Sequence, residues 1–489
     1  MNSFSEVEST LKEILEVIKP LREDWVTRFK IIDELREVVR SMESLRGATV
    51  EPFGSFVSNL FTRSGDLDIS IELPYGSFVS SAAKKRKLSL LGEILRALRQ
   101  TGRWQRLQFI PHARVPILKI ESKWQNISCD ISIDNLQGQI KSKFMFWLNE
   151  IDGRFREMVL LVKEWAKAHG INNPKTGTFN SYSLSLLVIF HFQTCVPAIF
   201  PPLKDIYPGN VVDDLTGVRA DAERRIAEVC SSNIARFRSG RVLNRSSLAE
   251  LFISFIAKFS DIDLKASEMG ICPFRGQWEY ITSNTRWLPQ TYAIFIEDPF
   301  EQPVNAARAV SQKQLIIISD TFETTRRLLI SANLRQSTLI DALVGPQTSQ
   351  LLVKQPVSYS RYNGTRRHFQ EARAPGSQTG PSPSQMQPYH YRNGRPSTSQ
   401  VQPQAQKMMF STSQMQNQTQ NMPSSSKVQP QFQKVRSDRT RPASTPSVPQ
   451  AQSQFQKVRA ETYPGNFATQ RPVQPYHNQG QMWRPKSDK

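Results

Sequence analysis

Apolar residues recur at helical spacing from the start of the chain: Leu11, Ile14, Leu15 and Ile18, then, beyond Pro20, Trp25, Phe29, Ile32, Leu35 and Val39. The spacing predicts helix over residues 3–43 with a break at the proline. The period then changes. TVEPFGSF, DLDISIEL, VPILKIE and ISCDISID are short β-type runs separated by polar segments. Between the second and third lies SSAAKKRKLSLLGEILRALRQTGRW, an amphipathic helix with a basic start. From about residue 150 helical patterns dominate. They are EMVLLVKEWAKAHG, closed by Gly170, and TFNSYSLSLLVIFHF, with polar caps before its apolar run, then AERRIAEVCSSNIARF, SSLAELFISFIAKFS and AARAVSQKQLIIISDTFETTRRLLISA. The expected fold class is therefore α+β. N-terminal helices (1–45) pack on either part of the core, a small mixed-sheet domain spans 46–145, and a mainly helical domain spans 146–350.

Composition adds a fourth segment. Residues 351–489 are rich in Gln, Pro and Ser, cannot bury a core, and read as a disordered tail. Its short echoes, such as QFQKVR at 431–436 and 454–459, are too brief for a solenoid. The formal net charge is +20, and Arg361 to Lys489 carries +14 of it, with 18 Lys+Arg against 4 Asp+Glu. Such a balance points to a polyanionic partner, nucleic acid or an acidic membrane surface. The longest apolar stretch, 181–200, contains His191 and Gln193 and is broken by Pro197. It reads as a buried helix, not a membrane span. Cys129, Cys195, Cys230 and Cys272 form no CxxC pair and read as reduced intracellular thiols. The charged, helical N-terminus is unlike a secretory signal.

The candidate chemistry lies in FGSFVSNLFTRSGDLDISIE. Asp66 and Asp68 stand two residues apart on an apolar strand, so they project from one face. Paired carboxylates there suit divalent ions, held about 3.5–4 Å apart in two-metal sites. ISCDISID offers a third carboxylate, Asp130, among apolar neighbours; Asp134, at the strand end, reads as a solvated turn residue. Gly54 lets the backbone approach phosphate, and the Ser55 hydroxyl joins it. Mg²⁺ is the expected metal, with Mn²⁺ as an alternative, and the implied reaction is nucleotidyl transfer to an RNA 3′-hydroxyl.

These motifs, with LLVKEWAKAHGINNPKTGTFNSYSLSLLVIFHF and IEDPFEQPVNAARAV, resemble the terminal nucleotidyltransferases of the DNA polymerase β superfamily over about residues 10–345. The similarity is greatest to plant uridylyltransferases that tail small RNAs lacking 3′ methylation. The resemblance implies UTP as donor, RNA 3′ ends as acceptors, tailed RNAs marked for degradation, and a block by 2′-O-methylation. It also implies Argonaute-type partners and placement in nucleus, cytoplasm and RNA granules. It assigns Lys163, Lys167 and Ser181 to the triphosphate, Tyr182 to stacking on the base, Asp298 and Glu301 to positions beside the base, and Asn135 to the sugar. Two positions depart from the family. A His that helps select uracil is replaced by Val304, followed by Asn305, and Lys141 stands where relatives often carry Asn near the ribose. KKRK (84–87) reads as a nuclear-import signal, an RNA contact or a solvated helix start, and Arg114 as a phosphate or RNA contact or a sheet-edge salt bridge. The alternatives are an oligo- or poly(A)-adding enzyme of the same family, an inactive RNA-binding adaptor, and a synthase of small nucleotide messengers.

Overall fold

A computed structural model describes residues 3–354 apart from 75–77, 288–290 and 332–334. The tail beyond 354 lies outside the described residues, and the last described helix, Pro346–Lys354, carries regular structure past the boundary expected at 350.

The N-terminal pattern forms two helices, α1 (Ser3–Ile18) and α2 (Arg22–Arg40), parted at Pro20 as the spacing predicts. The chain then runs through β1 (Thr49–Phe53), a single turn α3 (Gly54–Val57), β2 (Leu67–Glu72) and α4 (Lys84–Thr101). It continues through β3 (Trp104–Ile110), β4 (Ile117–Ser122), β5 (Ser128–Ile133), α5 (Leu136–Ile151), α6 (Arg154–Ala168) and α7 (Ser181–Thr194). The five strands form one mixed sheet in the order β1-β2-β5-β4-β3. Only β2 and β5 run parallel; the other neighbours are antiparallel. One sheet face is apolar: Leu67, Ile69, Ile71, Leu118, Ile120, Ile131 and Ile133 are all buried. Helices α2 and α4 pack against the sheet.

Strand β3 is absent from the sequence-based expectation. It is an edge strand whose register shifts between Gln105 and Gln108, and Arg106 there adopts φ +51. This irregularity breaks the two-residue period that would have revealed it. The hairpin Met269–Cys272 with Gln277–Tyr280 inside the helical part was likewise unexpected; Gly276, at φ +69, makes its turn.

The two N-terminal helices divide between the parts of the fold. Helix α2 packs on β1 and α4, whereas α1 packs on α6 and on helices Leu248–Lys258, Gln336–Leu343 and Pro346–Lys354. Glu8 accepts from Ala249 N, in the first turn of the Leu248–Lys258 helix, at 2.7 Å, and Lys19 pairs with Glu157 at 3.0 Å. The main core lies in the helical part around α7, where Leu184, Leu186, Leu187, Val188, Ile189, Phe190 and Phe192 are fully buried. Burial on every side accounts for the long apolar stretch. Among the described residues, no helix is long and apolar enough to cross a membrane. All four cysteines are free, three of them buried.

Candidate active site

Strand register assembles the centre of the site. Phe53 pairs with Asp68, Asp68 with Asp130, Asp130 with Lys119, and Lys119 with Gln108, one row across all five strands. Residues directly opposite in register share a face, so Asp68, Asp130 and Lys119 are side-by-side neighbours. Asp66 immediately precedes β2 and is exposed. Lys119 Nζ lies 3.1 Å from Asp66 Oδ2 and 3.2 Å from Asp130 Oδ1, so one ammonium joins two of the three carboxylates. Sequence reasoning missed Lys119, because a lysine on an alternating strand reads as a solvent-face residue.

The charges explain the titration of the site. Burial, then repulsion from Asp130 and Asp66, pushes the Asp68 carboxyl up to about 7. Burial also raises Asp130, against the pull of Lys119. Burial alone would lower Lys119, but Asp130 and Asp66 outweigh it and raise it.

Three carboxylates are the hard oxygen donors that Mg²⁺ and Mn²⁺ favour. Among the described residues, no three His, Cys, Asp or Glu side chains close on a single point; Asp66 is held towards Lys119. That a lysine ammonium already sits between two of the carboxylates, while the third is destabilised as an anion, shows a cluster built around positive charge. The donor set fits a divalent cation held by Asp66, Asp68 and Asp130.

Gly54 follows β1 at φ +67, a conformation costly for residues with a side chain. A Cβ there would collide with the Asp68 carboxylate. Its N–H donates to Ser142 Oγ at 2.7 Å, anchoring α3 to α5. Among the described residues, the Ser55 hydroxyl makes no hydrogen bond, which leaves it available to a ligand. Gly54→Ala is expected to displace Asp68 and lower kcat by about a hundredfold, with a far smaller change in melting temperature. Single-turnover kinetics beside a thermal melt checks this.

One expectation on charge is corrected. Asp134 is buried, not solvated: it adopts φ +47, and its carboxylate accepts from Leu73 N and Ala82 N, both at 2.9 Å. Lys163 and Lys167, four residues apart on α6, differ in burial. Lys163 is buried and donates to Leu60 O at 2.9 Å, whereas Lys167 is exposed. Burial, with repulsion from Lys167, lowers Lys163 to about 8 against the opposing pull of Asp68 and Asp66. Lys163 thus faces the carboxylates from beneath the loop that carries Leu60.

The second half of the site is contributed by the helical part. Tyr182, in the first turn of α7, donates its hydroxyl to Asp298 Oδ1 at 2.9 Å. Ser181 exchanges hydrogen bonds with Asn172 at 3.2 and 3.3 Å, a partner the motif did not indicate. Asn180 caps α7 and donates to Ala306 O at 2.8 Å, fixing the helix start to the segment after Glu301. Lys141 Nζ reaches Asp298 Oδ2 at 2.5 Å and Glu301 Oε2 at 2.8 Å, and lies 5.7 Å from the centre of the Tyr182 ring. Arg114 grips both oxygens of Glu301, at 2.5 and 3.1 Å. Burial works to raise the Glu301 pKa, but Arg114 and Lys141 outweigh it and hold it low. Arg114 is therefore in a salt bridge, though one that joins the β3–β4 connection to the helical part rather than a sheet edge.

Asn135 caps α5, its Oδ1 accepting from Gly138 N at 3.1 Å. Asn305 is buried and committed to backbone, accepting from Ile296 N and Ala307 N and donating to Ile294 O. It cannot stand in for the missing His. In KKRK, Lys84, Lys85 and Arg86 are exposed, but Lys87 is half-buried and donates to Asp134 O at 3.2 Å.

Comparison with known proteins agrees with this geometry. Residues 7–146 match the family model "Poly(A) RNA polymerase, mitochondrial-like, central palm domain". The protein HESO1 of Arabidopsis thaliana is 63% identical over 350 residues, covering 71% of this chain and 68% of that one. Terminal uridylyltransferase cid1 of Schizosaccharomyces pombe is 26% identical, covering 68% of this chain and 80% of that one. The solved structure of a cytoplasmic RNA terminal U-transferase superposes with a TM-score of 0.55 at 24% identity, covering 70% of this chain and 99% of that one. With catalytic-type carboxylates on the sheet, a facing helical part and these relatives, the chain belongs to the poly(A) polymerase and Cid1-type family of terminal nucleotidyltransferases.

Proposed function

We propose that this protein is a template-independent RNA uridylyltransferase. It adds uridines from UTP to the 3′ ends of small RNAs or RNA fragments and so marks them for degradation. The observation that carries the reading is the row Asp68–Asp130 beside Gly54, with Arg114 and Lys141 linking the sheet part to Glu301 and Asp298 next to Tyr182. That row also argues against the inactive adaptor, which would not need three carboxylates at an energetic cost. Argonaute-type partners and a nuclear and cytoplasmic location belong to the same proposal.

Asp66, Asp68 and Asp130 would hold Mg²⁺ or Mn²⁺. When bound, the ions supply the positive charge that activates the RNA 3′-hydroxyl and offsets the charge of the departing pyrophosphate. The chain's own groups orient the reactants. Gly54 allows close approach, and Ser55, Lys163, Lys167 and Ser181 offer donors to the triphosphate. Asn135 serves the sugar side and Tyr182 offers a ring to the base, with Asp298 and Glu301 alongside.

The test is extension of labelled RNA by the full chain with Mg²⁺ and each nucleoside triphosphate alone. UTP is expected to give the longest tails and the highest kcat/KM. ATP extending as well as UTP would replace the reading with an oligo- or poly(A)-adding enzyme. Paired RNAs with and without a terminal 2′-O-methyl group, the unmethylated one extended faster, check the acceptor class.

A further inference from the structure

From the cluster of paired charges around Lys141 we infer that this lysine makes the chain read a carbonyl oxygen rather than an amino group on the incoming base. The inference rests on the uridylyltransferase reading above.

With Val304 apolar and Asn305 consumed by backbone, neither residue at the departed position supplies a selective contact. The remaining polar groups near Tyr182 can be counted. Asp298 Oδ1 accepts from Tyr182 Oη and Phe300 N, and Oδ2 accepts from Lys141. Glu301 Oε1 accepts from Arg114, and Oε2 accepts from Arg114 and Lys141. Every carboxylate oxygen of Asp298 and Glu301 therefore accepts from at least one donor of the chain itself. An ammonium has three donors and no acceptor, and Lys141 spends two on Asp298 and Glu301. What the group has left to offer a base is a single charged donor.

Uracil presents carbonyl oxygens, which accept from that donor. Where uracil carries its 4-carbonyl, adenine and cytosine carry an exocyclic amine, itself a donor, which would meet the ammonium instead of an acceptor, beside carboxylate oxygens that each already accept from the chain. A buried donor facing a donor leaves both unpaired, the situation in which polar sites discriminate most strongly. Lys141 lies in the second turn of α5, on the same helix that Asn135 caps, so the sheet-side element carries the base reader into the helical part.

The experiment compares kcat/KM for UTP and ATP in the full-length protein and in Lys141→Met. The substitution frees Asp298 Oδ2 as an acceptor while Tyr182 and Arg114 still hold the two carboxylates. The UTP-to-ATP ratio is expected to fall by about tenfold or more, with ATP gaining in absolute terms. Lys141→Arg, which keeps a charged donor, is expected to hold the ratio within about threefold of the parent. Lys141→Ala serves if the Met variant fails to fold. Equal losses with both nucleotides, or an unchanged ratio in a parent that prefers UTP, would overturn the inference alone. A parent with no UTP preference would overturn both it and the uridylyltransferase reading.

Discussion

Asp68→Asn is expected to abolish nucleotidyl transfer and, in the same variant, to raise the melting temperature of the metal-free protein. The first effect follows from losing one of three carboxylates at the proposed metal site, a fall of about a thousandfold or more in kcat. The second follows from the cost of keeping Asp68 charged. Its pKa is pushed up to about 7 from an ordinary 3.8, by burial first and then by Asp130 and Asp66. A carboxyl raised on folding favours the folded state below its unfolded pKa, and that advantage disappears as pH rises through the folded value. At pH 8 without metal, the folded protein therefore carries the full penalty, roughly 2–4 kcal/mol. The amide carries none, and Asp68 makes no internal hydrogen bond that the substitution would break. The variant should melt several degrees above the parent in a chelator at pH 8. The gap should close as pH falls below 7, where the parent takes up its own proton, and on adding Mg²⁺ to the parent. A variant that melts no higher than the parent at pH 8 in chelator would refute the account.

Arg28→Ala should be among the most destabilising single changes, although Arg28 is outside the reacting cluster. Arg28 is fully buried on α2. Its guanidinium donates to Asp24 O at 3.1 Å, Arg63 O at 3.0 Å and Gly65 O at 2.7 Å, and lies 4.6 Å from the centre of the Phe61 ring. The carbonyls of Arg63 and Gly65 belong to the turn that leads directly into Asp66, so one arginine shapes the approach to the carboxylates of the proposed metal site. Removing it strands those carbonyls and leaves a cavity, a cost of about 2–4 kcal/mol. Arg28→Lys is expected to recover only part of the stability, because a point charge cannot span two carbonyls as a planar fork does. At a temperature where the Lys variant remains folded, its kcat should fall about tenfold or more, as Asp66 loses its set position. Denaturant melts of both variants beside single-turnover rates check the prediction; an Arg28→Lys protein with parental kcat would show that the turn needs no such support.

The residues of the site were legible where their charge contradicts their surroundings. Asp66, Asp68 and Asp130 interrupt apolar alternation, and Gly54–Ser55 precedes them at a telling distance. Residues whose function depends on strand pairing were not legible. Lys119 acquires meaning only because register sets it against Asp130. Arg28 sits in an amphipathic helix where any arginine reads as solvated, and Asp134 becomes structural only when the segments around Leu73 and Ala82 fold over it. The elements followed the same division. Long, regular helices were visible from periodicity, whereas the bulged edge strand β3 and the four-residue strands of the Met269–Tyr280 hairpin were too irregular or too short to carry a period.

The parting of α1 from α2 at Pro20 has a consequence for how the molecule is made. Helix α1 is made before the helices it packs on and must wait for them. Glu8 meets Ala249 across 241 residues of sequence, and Glu13 accepts from Gln336 across 323. Contacts so distant along the chain carry a large loop-closure cost and form late. The sheet, with most of its pairings between neighbouring strands, is free to assemble early, while part of the apolar face of α1 stays uncovered until the last helices arrive. During synthesis that uncovered face is open to a chaperone, and truncations that end before residue 336 would leave bare the part of it that meets the last two helices.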